Sequence, residues 1–317
     1  MLGVVVLSSC SGDRSPESLK RRGPFGSLRD LVLFERGSEQ GGSFFLDRFE
    51  VTRSDFAEFA RNSRGPTTGA NSSVVGGELA AHPATRVDLR TARAFAAWRH
   101  CRLPRADEWW FACTTDGRDA YPWGSRPDAS RANTSDLGVF APLPVGTFES
   151  GRAQQGPYDL IGNVAEWTES VPVSWFYIDH REPVPAMTLA YDAVAQSPGL
   201  SLWAPVPLVF PSLFLVVAAG DRAPREVTGA HFASARDDGS DFRSPTDFGD
   251  TLGFRLCTTP RELIEAIGDE LLRFEDGDLL QWERFCGRPG HGSVLARALP
   301  ACAISARARS RWQERLP

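Results

Sequence analysis

Gly156-Pro-Tyr-Asp-Leu-Ile-Gly-Asn-Val-Ala-Glu-Trp-Thr168 is the stretch on which the fold turns. Gly162 and Asn163 accept backbone angles that other residues resist, so they predict a tight turn. Asp159 and Glu166 flank that turn with hard oxygen donors. Two carboxylates plus turn carbonyls form the donor set that calcium takes. The alternative is a pair of carboxylates that cap local backbone amides. Trp167, together with Trp109 and Trp123, is expected in the core, because large aromatics stabilise loop-rich folds.

Upstream, Phe44-Phe-Leu-Asp-Arg-Phe-Glu-Val-Thr52 reads as a strand running into a helix. Thr52 suits an N-cap, and Asp55 three residues on completes a capping box. Phe56, Phe59 and Ala60 then follow helical spacing. A second helix is expected after Asp88, with Leu89, Ala92, Phe95, Ala96 and Trp98 inward. A third begins near Pro104 and carries Glu108, Trp109 and Ala112. Short elements, many glycines and prolines, and no βαβ rhythm indicate a loop-rich α+β domain.

Five segments, in order, resemble the formylglycine-generating enzyme (sulfatase-modifying factor) family. They are Glu50-Val-Thr52, Arg102-Leu-Pro104 with Glu108-Trp109, Tyr121-Pro-Trp-Gly124, Gly162-Asn-Val-Ala-Glu-Trp167 and Gly253-Phe-Arg255. The resemblance runs from about Phe44 to Cys257 and implies a C-type-lectin-like fold with little regular secondary structure. It implies structural calcium on the Asp159 side chain, the Gly162 and Val164 carbonyls and the Glu166 side chain. A second calcium position would begin at Asn133, with Asp136, although the spacing to Val145 is shorter than in the family. Arg105 stands where the family has a capping threonine.

The family's chemistry is not carried over. Its oxidases hold copper on two cysteines upstream of the closing Gly-Phe-Arg. Here that segment reads Thr228-Gly-Ala-His-Phe232 and on to Gly239, and no cysteine occurs from Thr114 to Leu256. Ser234 falls near the first catalytic position, and a hydroxyl is a poor ligand for cuprous ion. Related oxygenases bind iron with a histidine cluster. The histidines here, His82, His100, His180, His231 and His291, are nowhere paired at helical spacing. Catalytic residues are therefore not assigned, with His231 and Ser234 the weak candidates. Copper and iron are unsupported, and calcium is the expected cofactor.

The chain has 317 residues and a formal net charge of −5. Its mean hydropathy is −0.26. These values fit a folded soluble domain and give no sign of nucleic-acid binding. Lys20 is the single lysine among 35 basic residues. P-loop, pyridoxal and protein-kinase chemistries each need a placed lysine, so they are excluded.

Met1 to Cys10 is an apolar run ending Leu7-Ser-Ser-Cys10 and resembles a bacterial lipobox, with Cys10 lipidated. The run is short, and no basic residue precedes it. Residues 11–42 read as a polar tether, 43–260 as the family-like domain, and 261–317 as a helix (Arg261 to Phe274) followed by a poorly ordered, arginine-rich tail. Leu200 to Ala219 is uncharged, but Pro205, Pro207 and Pro211 argue against a spanning helix. Short strands around Leu208–Phe210 and Leu213–Val217 are expected instead. In an exported protein, disulfides Cys113–Cys257 and Cys286–Cys302 are expected, although connectivity cannot be deduced from sequence.

These observations describe a lipid-anchored envelope protein, periplasmic or surface-exposed, that binds or scaffolds without oxidase activity. Its partner would be an envelope protein or a glycan, and its only membrane contact the anchor. The rival is a formylglycine-generating-type or other metal-dependent oxidoreductase acting on a cysteine or small thiol, using His231 with Asp237, Asp238 or Asp241. A carbohydrate-binding domain is a third reading, resting on fold alone.

Overall fold

The computed structural model describes residues 30–37, 42–62, 79–115, 117–170, 173–177, 200–203, 213–218, 225–234, 240–274 and 276–316. Cys10, Lys20, His180, Leu208–Phe210, Asp237 and Asp238 lie outside them.

The first sheet organises the molecule. β1 (Leu31–Phe34) pairs antiparallel with β2 (Phe44–Asp47), and β10 (Cys257–Thr258) pairs with the other edge of β2. The register sets Leu33 against Phe45 and Phe34 against Phe44. Strand side chains alternate between faces, so both faces of this apolar sheet must be covered. Val32, Phe34, Phe44 and Leu46 pack with Trp109, Leu160 and Ile161 on one face. Leu31, Leu33 and Phe45 pack against the C-terminal helices on the other. The segment read as a tether therefore contains a structural strand.

The three expected helices form. Helix α1 (Arg53–Asn62) starts at a reciprocal cap: the Asp55 N–H donates to Thr52 Oγ1 and the Thr52 N–H to Asp55 Oδ2, each at 3.2 Å. Helix α2 (Leu89–Trp98) is capped by Asp88, whose Oδ1 accepts from the Thr91 N–H at 2.8 Å. It buries Leu89, Ala92, Phe95 and Ala96. Helix α3 (Ala106–Cys113) begins at Arg105. Glu108 reaches back to the Arg105 N–H (2.8 Å), and Ser170 Oγ takes the Ala106 N–H (2.8 Å). A serine from another segment thus supplies the hydroxyl missing at position 105.

The second sheet brings the motif stretches together. β3 (Ala165–Trp167) pairs antiparallel with β7 (Arg225–Thr228) and parallel with β9 (Leu252–Gly253), and β8 (Ser240–Arg243) flanks β7. Glu166 lies opposite Gly253. A third sheet joins β4 (Val173–Tyr177), β5 (Leu200–Trp203) and β6 (Leu213–Ala218), with β6 central. The proline-interrupted apolar stretch thus supplies strands, and among the described residues no helix is long and apolar enough to cross a membrane.

The C-terminal region departs from expectation. Helix α4 (Pro260–Ile267) gives way to 3-10 turns over Gly268–Arg273, short of the single helix predicted to Phe274. The expected disordered tail is instead three further helices: α5 (Asp276–Cys286), α6 (His291–Ala298) and α7 (Ala306–Arg315). Trp282, Phe285, Leu295 and Trp312 are buried among them. Trp282 and Trp312 meet edge to face, with ring centroids 4.7 Å apart. Arginines recur through this region, but its large apolar residues settle its structure.

Candidate functional site

The turn within Gly156–Thr168 takes the left-handed conformations its residues permit. Asp159, Gly162 and Asn163 have φ of 55°, 82° and 60°. A Cβ at Gly162 would lie 2.4 Å from the Asn133 carbonyl oxygen, so only glycine fits. Asn163 then acts as a hub. Its N–H donates to Asn133 O (2.8 Å), and its Oδ1 accepts from the Leu143 N–H (2.9 Å) and Asn133 Nδ2 (3.1 Å). Its Nδ2 donates to Glu50 Oε2 (2.6 Å), and its carbonyl accepts from the Phe232 N–H (3.1 Å). One asparagine thereby ties the Glu50-Val-Thr strap, the 133–143 loop and the 228–234 segment together.

Glu166 is paired with Arg255 in two parallel bonds, Nε to Oε2 at 2.6 Å and Nη2 to Oε1 at 2.5 Å. Trp109 Nε1 donates to the same Oε2 at 2.9 Å. Both Glu166 and Arg255 are 0% exposed. Arg255 also donates to the carbonyls of Asp47 (3.2 Å) and Tyr158 (2.9 Å). Such a buried pair holds only when its remaining donors are satisfied. Glu50, Asp159 and Glu166 share this one guanidinium, so negative charge is in surplus. Burial, then the charges of Asp159 and Glu166, hold the Glu50 carboxyl well above the ordinary range. Burial pushes Asp159 up to about 6, opposed by the Gly146 N–H on its Oδ2 at 2.6 Å.

Of the expected calcium ligands, Asp159, Gly162, Val164 and Glu166 share this turn. Hard oxygen donors and surplus negative charge suit a divalent cation. Glu166 is the constrained member, since both of its oxygens already accept from Arg255. Among the described residues, no group of three or more His, Cys, Asp or Glu side chains is placed to hold a metal ion. The pair Asn133 and Asp136 is split. Asn133 is buried and bonded to Asn163, with an Oδ1 that has no partner among the described residues, which suits a cation. Asp136 is exposed in a 3-10 turn.

The weak catalytic candidates do not form a dyad. His231 Nδ1 accepts from the Ala233 N–H (3.1 Å). Ser234 Oγ accepts from the His231 N–H (2.8 Å) and donates to the His231 carbonyl (3.1 Å). Both groups serve a local turn. Asp237 and Asp238, expected beside His231, lie outside the described residues. Asp241 lies in β8.

The expected disulfides are absent. Cys101, Cys113, Cys257, Cys286 and Cys302 are all free thiols. Cys257 Sγ lies 3.6 Å from Glu108 Oε2, and Cys302 Sγ donates to the Ala298 carbonyl at 3.3 Å. The Cys257 and Cys302 thiols are thus directed to oxygens and not to a second sulfur. Trp109 and Trp167 are fully buried as expected, whereas Trp123 is half-buried, stacking on Tyr121 at 5.3 Å.

Sequence reading missed the roles of Arg255 and Glu50, although both lie within the quoted motifs. The signal for Arg255 was its position as the lone charge in the apolar run Leu252–Cys257. A buried guanidinium there demands a buried carboxylate, and Glu166 on the neighbouring strand supplies it.

A family model, the sulfatase-modifying factor enzyme 1-like domain, matches residues 37–260. A hercynine oxygenase of Mycolicibacterium smegmatis is 40% identical over 100 residues, covering 29% of this chain and 23% of that protein. An inactive C-alpha-formylglycine-generating enzyme 2 of Bos taurus is 34% identical over 123 residues, covering 35% and 38%. A formylglycine-generating enzyme of Mycobacterium tuberculosis is 33% identical over 122 residues, covering 34% and 39%. The matched segments thus span under two-fifths of each of these relatives. Among solved structures, CarF aligns over 72% of this chain and 92% of its own at 18% identity, with a TM-score of 0.45. The family match covers well over half of the chain, and the chain belongs to the sulfatase-modifying factor enzyme 1-like domain family, with that family's α+β fold.

Proposed function

We propose that this protein is a non-oxidase member of its family, exported and lipid-anchored through Cys10 in a bacterial cell envelope, where it binds or scaffolds a partner. One observation carries the reading. The segment that bears the paired catalytic cysteines in the oxidases holds Ser234 here, and no cysteine occurs between Thr114 and Leu256. The thiols elsewhere offer no substitute. Burial pushes Cys286 up to about 12 and drives Cys101, Cys113 and Cys257 upward as well. A soft cuprous site needs thiolates, which such thiols do not supply near neutrality. Similarity to a relative named as an inactive formylglycine-generating enzyme supports the same reading.

The retained calcium loop is structural in this proposal, with Asp159 as its principal side-chain ligand. The test of function is direct. Purified full-length protein, supplied with copper and a cysteine-bearing sulfatase peptide, is expected to form no formylglycine by mass spectrometry. Robust turnover overturns the proposal.

A further inference from the structure

The link between β2 and α1 walls a cavity of about 310 Å³ that meets the turn network above at Glu50. That volume is at the lower end for small-molecule pockets. Its charge is one-sided. Asp30, Asp47, Glu50 and Asp55 line it, and Arg99 is the guanidinium among them. Most of these groups are already engaged. Glu50 accepts from Asn163 and from the Val164 N–H. Asp55 accepts from Thr52 and faces Arg99 Nη2 at 3.4 Å.

Asp47 differs. It is 7% exposed, and its Oδ2 accepts from the Leu256 N–H at 3.2 Å. Its Oδ1 is buried without a hydrogen-bond partner among the described residues. A buried, unpaired carboxylate oxygen is costly, so a donor is missing from the cavity. Burial, with the nearby charges of Asp30 and Asp55, holds this carboxyl above its ordinary range.

We propose that this cavity binds a small organic cation bearing N–H donors, a primary ammonium or guanidinium compound, on Asp47. The charge imbalance calls for a cation, and the unpaired Oδ1 calls for a hydrogen on it. A quaternary ammonium carries no such hydrogen. A bare metal ion is disfavoured because the volume holds roughly ten waters at ~30 Å³ each and the carboxylates do not converge as a metal site. Phe49 and Phe95 add apolar wall to the cavity. Glu50 is shared with the turn network, but the proposed contact is on Asp47, so failure here leaves the proposed function standing.

The test is calorimetric titration of the full chain with n-butylamine, methylguanidinium, tetramethylammonium and butyrate. Saturable binding is expected for the first two, about tenfold weaker binding for tetramethylammonium, and none for butyrate. Asp47→Asn keeps the shape and the Leu256 bond, and is expected to weaken amine binding by about tenfold or more. Ser54→Phe, at an exposed position on the cavity wall, is expected to block binding without touching the core, which covers the case in which Asp47→Asn does not fold. Absence of saturable amine binding overturns the proposal. So does amine binding left unchanged in whichever of the two variants fold, or stoichiometric displacement of the amine by calcium chloride.

Discussion

Glu166 sits where water does not reach, held by Arg255 in two parallel bonds. Replacing Arg255 by Met leaves three buried carboxylates without a counter-charge, and a loss of about 3–5 kcal/mol is expected from urea unfolding. Glu166→Gln keeps an acceptor for Arg255 and Trp109, so its loss is expected to be smaller. Gly162→Ala combines a left-handed backbone, costing roughly 1–2 kcal/mol, with a clash against the Asn133 carbonyl. It is expected to exceed that penalty in the same measurement. Asp159 gives the turn a pH signature. Its carboxyl titrates at about 6 in the fold against an ordinary 3.8. The folded state therefore binds the proton more tightly, and the unfolded chain sheds it first as pH rises. In EDTA, the Asp159 contribution to stability should fall between about pH 4 and 6 and then level. Calcium should raise stability most above that window, and Asp159→Asn should remove both effects. A calcium-independent midpoint at neutral pH would sink the calcium assignment. The donors of this turn were legible because Gly-Asn and flanking carboxylates are local features. Arg255 was not, because its partner lies 89 residues away and only the parallel pairing of β3 with β9 brings them together.

Elements whose ends carry their own caps were legible. Thr52 with Asp55 announces α1 from a four-residue window, and Asp88 ahead of the apolar spacing announces α2. Helix α3 was legible by spacing, but the Ser170 hydroxyl that completes its start comes from 64 residues away. Helices α5 to α7 were missed for a different reason. Their buried faces rest on a few large residues spread among arginines, so no apolar stripe stands out until the partner surface is known. Helix α6 also places His291 between Phe45 and Phe285, with ring centroids 5.0 and 4.7 Å away. Burial, then Arg288, pushes its pKa down to about 4 from 6.5. The unfolded chain takes up this proton first as pH falls. The stability is present above about pH 6.5 and is lost progressively toward pH 4. The full loss is on the order of 3 kcal/mol at ~1.4 kcal/mol per unit. His291→Phe should flatten that part of the pH profile. Subtracting the variant's unfolding profile from the parent's isolates it from the opposite slope of Asp159.

At the scale of the whole molecule, the family-like body and the C-terminal helices share one sheet. β1 and β2 turn Val32, Phe34, Phe44 and Leu46 toward the body and Leu31, Leu33 and Phe45 toward the helices. The family match ends at residue 260, just where the second covering layer begins. Arg288 adds a bond from the helical layer to the Leu31 carbonyl at 3.1 Å. Removing residues 260–317 would therefore strip one face of the central sheet and not merely trim an appendage. Exposed apolar strand surface of this kind drives aggregation. The truncated chain is expected to be insoluble or molten, with lost near-ultraviolet circular dichroism. In the full chain, Trp312→Ala opens the aromatic contact with Trp282 and should cost about 3–5 kcal/mol. Because the layers share the sheet, that loss should appear in a single unfolding transition. Near-ultraviolet and far-ultraviolet signals should remain coincident, and the calcium-dependent shift should move with them. Two separated transitions, or a soluble and cooperatively folded truncation, would show that the helices are an independent domain resting on a sheet that does not need them.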